Sequence, residues 1–110
     1  MPYRLSECVA FEVSDQERAV AFYERIFGFQ VSRLNEKTVE LKGGPIRLFL
    51  EEGDLGGPIF EFLVPDVEKA KEALLVEGCE IVRWEGTGKC CYVRDPFGFV
   101  FNLCEKSDAL

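Results

Sequence analysis

Phe11-Glu12-Val13-Ser14-Asp15-Gln16-Glu17-Arg18-Ala19 recurs just under half a chain length later as Phe62-Leu63-Val64-Pro65-Asp66-Val67-Glu68-Lys69-Ala70. Both copies pass from an alternating apolar run into an acidic residue that can accept hydrogen bonds from the free N–H groups of a first helical turn. Each copy therefore ends a strand and opens a helix, and the chain reads as two copies of one small α+β unit.

Working outward, Leu5–Val13 alternates as a strand, with Val9, Phe11 and Val13 on one face and Cys8, Ala10 and Glu12 on the other. A helix is expected from about Asp15 to Phe27. Ser14-x-x-Glu17 has the spacing of a capping box, and Ala19, Phe22, Tyr23, Ile26 and Phe27 form one apolar stripe. Gly28 stands where a left-handed C-cap belongs. Strands follow at about Phe29–Leu34, Thr38–Lys42 and Pro45–Glu51. Their turns are Asn35-Glu36 and Gly43-Gly44, the latter suited to positive φ. After the Gly53–Pro58 break the plan repeats: strand Ile59–Val64, a helix from Asp66 to about Glu77 ended by Gly78, then strands near Cys79–Trp84, Lys89–Arg94 and Phe99–Cys104. Asp95-Pro96-Phe97-Gly98 turns between the last two, and the tail Lys106–Leu110 is expected to fray.

The expected fold is one α+β domain of two βαβββ repeats, residues 1–52 and 58–106. Their mixed sheets form a cup or half-barrel with helices on the outside. Each helix covers one face of its sheet. Alternation leaves Cys8, Ala10, Glu12, Arg47, Phe49 and Glu51 on the helix-free face of the first unit. In the second it leaves Ile59, Glu61, Leu63, Val100, Asn102 and Cys104.

Composition narrows the function. A net charge of −7 disfavours nucleic acid and acidic membrane surfaces; it suits a neutral or cationic small ligand, or simply keeps the protein soluble. No apolar run is long enough to span a bilayer, and Met1-Pro2-Tyr3-Arg4-Leu5-Ser6 lacks a secretory apolar stretch, so a cytoplasmic protein is expected. Five cysteines without a CxxC pair read as reduced apolar fillers, with the vicinal Cys90-Cys91 alternating across a strand.

Val13-Ser14-Asp15, Ala21-Phe22-Tyr23-Glu24-Arg25-Ile26-Phe27-Gly28-Phe29 and the later Arg94-Asp95-Pro96-Phe97-Gly98 resemble, in order and spacing, the vicinal oxygen chelate superfamily, the glyoxalase / bleomycin-resistance / extradiol-dioxygenase group. The resemblance covers nearly the whole chain and speaks for the fold more than for the function, since this fold carries many chemistries. It places a usual metal ligand, commonly histidine, at Cys8, its counterpart at Ile59, and a last-strand glutamate at Asn102. The chain contains 0 histidines. Ile59 offers no ligand atom and Asn102 only a neutral oxygen, so no metal and no cofactor are expected. The exception would be zinc held by Cys8, Glu61 and Cys104.

The candidate ligand-binding residues are Cys8, Glu12, Arg47, Phe49, Glu61, Tyr92 and Asn102. Arg47 either grips an anion or pairs with Glu61, Glu12 or Glu40. Glu61, between Phe60 and Phe62 on an inner strand, suits a general base as the one catalytic candidate, or else is a rim carboxylate. Phe49, Tyr92 and Trp84 offer faces for a flat ligand, or core packing. Without histidine, Ser/His and Cys/His hydrolysis is excluded.

By resemblance to bleomycin-resistance proteins, the leading expectation is a metal-free homodimer that sequesters a small cationic or aromatic ligand in its cup. Two alternatives stand beside it. One is a glyoxalase-like lyase, isomerase or dioxygenase with a non-standard metal site or Glu61 as base. The other is a structural module whose pocket is filled by Ile59, Leu63, Phe49 and Val100.

Overall fold

The computed structural model describes residues 3–105, so the expectation for Lys106–Leu110 lies outside the described residues. The fold is α+β, and the chain divides into two compact units. The first comprises Glu7–Ile59; the second comprises residues 60–105 together with 3–6.

The first unit runs β1 (Arg4–Val13, from Glu7 onward), α1 (Gln16–Phe27), β2 (Gln30–Arg33), β3 (Val39–Lys42) and β4 (Arg47–Glu52). Its strands are ordered β2-β3-β4-β1. β1 runs parallel to β4, with Cys8 beside Arg47 and Glu12 beside Glu51, and the other pairings are antiparallel. Val39, Leu41 and Leu50 form the buried centre, packed by Phe11, Val13, Ala19, Val20, Tyr23, Phe29 and Leu48. Phe11 and Val13 of β1 and Leu48 and Leu50 of β4 pack with Ala19, Val20 and Tyr23 of α1, as the alternation leads one to expect.

Three local expectations need correction. The N-cap is Asp15, as its acidic side chain leads one to expect, accepting from the Arg18 N–H; it is the capping box on Ser14 that gives way. The expected apolar stripe of α1 is only partly inward: Phe22, Ile26 and Phe27 are 44%, 54% and 59% exposed. The face against the sheet is Gln16, Ala19, Val20 and Tyr23. Gln16 takes a core position because its side-chain amide donates to the Lys37 and Leu50 carbonyls, both at 2.8 Å, and its oxygen accepts from Arg33 at 3.1 Å. The stripe is thereby rotated, and its aromatic flank stays at the surface. Finally, Gly43-Gly44 adopts no positive φ. Gly43 is needed for space, because a Cβ there would run into the Phe29 ring.

The second unit repeats the plan with β5 (Ile59–Val64, from Phe60 onward), α2 (Val67–Val76), β6 (Glu80–Trp84), β7 (Cys91–Arg94) and β8 (Val100–Glu105), ordered β5-β8-β7-β6. β5 and β8 are parallel, while β8, β7 and β6 are antiparallel. Asp66 caps α2 by accepting from the Lys69 N–H, and Glu105 accepts from the Val67 N–H, tying the helix start to the end of β8. Val64, Val67, Ala70, Cys91, Val93, Phe101 and Leu103 form the core, with Phe62, Leu74, Ile81 and Trp84 against it. In the last hairpin, Asp95 accepts from the Phe97 and Phe99 N–H groups at 2.9 Å, which fixes the turn.

That hairpin overturns the expectation of five reduced thiols, because Cys90 and Cys104 are joined in a disulfide. With Arg94 opposite Val100 and Cys91 opposite Leu103, the register carries Cys90 directly across from Cys104. Alternation does separate the vicinal pair: Cys91 packs into the α2 core while Cys90 bonds on the other face.

Candidate functional site

On the helix-free face of the first unit, β1 and β4 bring Cys8, Arg47, Phe49 and Glu12 together. The Arg47 guanidinium grips the Glu40 carboxylate as a fork, Nε to Oε2 at 2.9 Å and Nη2 to Oε1 at 3.0 Å. It also lies 5.0 Å from the centre of the Phe49 ring. Of the roles open to Arg47, the structure supplies the pairing with Glu40. Hydrogen bonding from Arg47 and its charge hold the Glu40 carboxyl below the usual carboxylate range, against the opposing effect of burial. The same bond holds Arg47 above its ordinary value. Glu12 is buried, and one of its oxygens accepts from the Leu55 N–H at 3.3 Å. Glu51 accepts from the Thr38 hydroxyl at 2.6 Å. Cys8 and Phe49 are buried.

On the helix-free face of the second unit, the parallel register sets Glu61 beside Asn102, and the antiparallel one sets Tyr92 across from Asn102. The Arg83 guanidinium lies 4.9 Å from the centre of the Tyr92 ring. Glu61 is only 7% exposed, so it is no rim carboxylate. Its Oε1 and the Asn102 Oδ1 are buried and receive no hydrogen bond among the described residues. Leu63 and the Cys90–Cys104 disulfide lie next along the same face.

The donor set does not fit the divalent metal that the resemblance implies. Ile59, at one ligand position, is 1% exposed and purely hydrocarbon. At the others, Cys8 offers a thiol and Asn102 a neutral amide oxygen, a poor set for a hard cation. The alternative zinc set loses a thiolate, because the Cys104 sulfur is bonded to Cys90. Among the described residues, no cluster of three or more Cys, Asp or Glu side chains could hold a metal ion. Burial also pushes the Cys79 and Cys91 thiols up, so neither is a ready nucleophile at neutral pH.

Elsewhere, a groove of about 310 Å³ lies at the start of α1, lined by Val13, Ser14, Asp15, Arg18, Ala19, Phe22 and Tyr23. None of the seven candidate ligand-binding residues lines it. Sequence reasoning also missed Gln16 and Thr38, whose roles depend on which strand lies opposite. It missed the Cys90–Cys104 bond as well, which counting outward from the Asp95–Gly98 turn would have found.

The matrix of strands, helices and turns now has a family. Residues 6–103 match the model of the Glyoxalase/Bleomycin resistance protein/Dioxygenase superfamily, and the chain belongs to it. Among solved structures, a hypothetical protein from Bacillus halodurans C-125 is 13% identical with a TM-score of 0.62, covering 100% of this chain and 99% of that one. A superfamily member from Vibrio splendidus 12B01 is 22% identical with a TM-score of 0.61, covering 96% and 100%. Homoprotocatechuate 2,3-dioxygenase from Brevibacterium fuscum, in an anaerobic complex with 3,4-dihydroxyphenylacetate, is 23% identical with a TM-score of 0.61 over 93% of this chain and 36% of its own. These likenesses are of fold, and the chain spans about a third of the dioxygenase's length. No curated protein matches. Among the described residues, no helix is long and apolar enough to cross a membrane.

Proposed function

We propose that this protein binds a small organic molecule on its helix-free sheet faces, without a divalent metal, and works by holding the ligand as a homodimer. Ile59 carries this reading: a buried hydrocarbon side chain at a position where superfamily chemistry calls for a metal ligand removes the Lewis acid on which catalysis would rest. Family membership supports the ligand-holding role. The net charge of −7 favours a cationic or neutral ligand. The candidate binding residues remain Cys8, Glu12, Arg47, Phe49, Glu61, Tyr92 and Asn102. A cytoplasmic setting, the other expectation from the sequence, is in tension with the Cys90–Cys104 pairing, since disulfides persist in oxidising surroundings.

A structural module with a filled pocket is the second reading, favoured by the burial of Phe49, Ile59 and Leu63. Against it stand the Glu61 and Asn102 oxygens. A face that serves only packing gains nothing from two buried acceptors that have no donor among the described residues, each worth about 1–3 kcal/mol in lost solvation.

The test is metal content of the purified protein by mass spectrometry, calorimetric titration with zinc, nickel and manganese, and a thermal-shift screen of small organic compounds. Absence of bound metal together with a stabilising organic ligand is the expected outcome. Stoichiometric metal lost on Cys8→Ala would overturn the reading.

A further inference from the structure

In the second unit, β5 and β8 hold Glu61 and Asn102 side by side, facing away from α2. Their sequence neighbours Phe62, Phe101 and Leu103 fill the core on the helix side, so the packing of those residues fixes the direction in which Glu61 and Asn102 point. Glu61 Oε1 and Asn102 Oδ1 are both withdrawn from water, and neither receives a hydrogen bond among the described residues. A carboxylate oxygen and an amide oxygen only accept, so the pair has one shared requirement: a donor with at least two hydrogens to give. Arg83 is on the same unit, yet its guanidinium lies over the Tyr92 ring and gives Glu61 Oε1 no hydrogen bond. A divalent cation would need more oxygens than this single carboxylate and amide, and no metal-holding cluster surrounds them among the described residues.

We infer that Glu61 and Asn102 form the recognition point for a protonated nitrogen on a small organic cation, a primary ammonium or an amidinium, with one N–H directed to each oxygen. The inference rests on the ligand-binding reading above and adds the chemistry of the ligand's head group. The carboxylate supplies the charge and the amide oxygen the second acceptor. Charge-assisted bonds of this kind are the stronger class, and they gain further where water is excluded. A neutral hydroxyl offers one donor and no charge; a quaternary ammonium offers charge and no donor. The site therefore discriminates among three ligands of nearly the same shape.

The experiment uses those three. Benzylammonium, benzyltrimethylammonium and benzyl alcohol are titrated into the full-length protein by calorimetry, with the Asn102 side-chain amide followed by nitrogen-15 NMR. Benzylammonium is expected to shift that amide and to bind at least about tenfold tighter than the other two. Glu61→Gln keeps the shape, removes the charge and lets the new amide donate to Asn102. It should abolish the preference while melting no lower than the parent, which separates lost recognition from lost folding. Equal affinity for benzylammonium and benzyltrimethylammonium, or an undiminished preference in Glu61→Gln, would overturn the inference. Equal binding of all three would do so while leaving the ligand-binding reading intact, whereas no binding by any of them would overturn the inference and count against that reading too. Zinc or manganese binding that disappears in Glu61→Gln would assign the pair to a metal instead and also overturn it.

Discussion

Replacing Arg47 with methionine tests whether the pair on the first unit's sheet is a structural element. The Glu40 side chain is 3% exposed and Arg47's is 33% exposed, and the two meet through two hydrogen bonds of 2.9 and 3.0 Å. Removing one partner of a fully buried pair costs about 3–5 kcal/mol, because the other charge is left stranded. Here a third of the arginine is wet, so water can reach part of the vacated space, and the electrostatic share falls to about 2–3 kcal/mol. Loss of the guanidinium from the Phe49 ring adds about 0.5 kcal/mol. Methionine keeps the apolar stem and so limits any cavity. The total, about 3 kcal/mol, corresponds to a fall in Tm of about 10–20 °C for a domain of this size.

Denaturant unfolding followed by circular dichroism measures the loss, and its pH dependence identifies the cause. Glu40 titrates below its ordinary value of 4.5 in the folded protein, so the stability it supplies is fully present above that value and is lost as pH falls through the lower, folded one. In Arg47→Met the stranded carboxylate gains by taking up a proton. The gap between parent and variant should therefore be widest near neutral pH and should close in acid. A gap below about 1 kcal/mol, or one that does not change with pH, would refute the account. The double variant Glu40→Gln/Arg47→Met should recover most of the loss, since no charge is left buried alone.

The other expectations concern both units. Glu61→Leu should raise the stability of the ligand-free protein by about 1–2 kcal/mol, because it removes a buried carboxylate oxygen that has no donor among the described residues; a lower Tm would count against the assignment of Oε1. Cys90→Ser/Cys104→Ser should lose about 3 kcal/mol under non-reducing conditions, the loop-closure value for a separation of 14 residues, and thiol labelling with mass spectrometry should find the parent two thiols short of five. Gln16→Leu should cost about 2 kcal/mol by hydrogen–deuterium exchange, with protection lost first around Lys37 and Leu50, whose carbonyls it serves; uniform loss across the chain would argue that the side chain only fills space.

What the sequence disclosed follows from the physics each signal carries. Period-two alternation sorts residues by face, and it sorted β1, β4, β5 and β8 correctly: Phe11 and Leu50 pack toward α1, Phe62 and Leu103 toward α2. The acidic caps were equally legible, because Asp15 and Asp66 act within three residues of themselves. Alternation says nothing of register, and register decides partners. Whether Arg47 meets Glu40, Glu12 or Glu61 depends on which strands flank β4 and in what register; β3 and β1 flank it, and the β3 register brings Glu40 to the guanidinium. Cys90 and Cys104 were on the right face, but their bond needed the hairpin count as well. The α1 stripe failed for another reason. Hydrophobicity alone ranks Phe22 and Ile26 above Gln16, yet Gln16 satisfies the Lys37 and Leu50 carbonyls, which an apolar residue would leave bare.

The repeat supplies an internal control for the second unit's site. With Asp15 aligned on Asp66, Glu51 of the first repeat falls where Asn102 stands in the second. Glu51 receives the Thr38 hydroxyl, and the neighbouring buried Glu12 receives the Leu55 N–H. The same fold can thus satisfy acceptors on this face with donors of its own. At Asn102 Oδ1 and Glu61 Oε1 it does not, among the described residues. The α+β architecture accordingly does not require an unpartnered pair at this place, and an apolar pair would pack without the loss. A feature that the fold neither needs nor satisfies is where local consistency gives way to a site, and the two oxygens specify the donor that such a site would take.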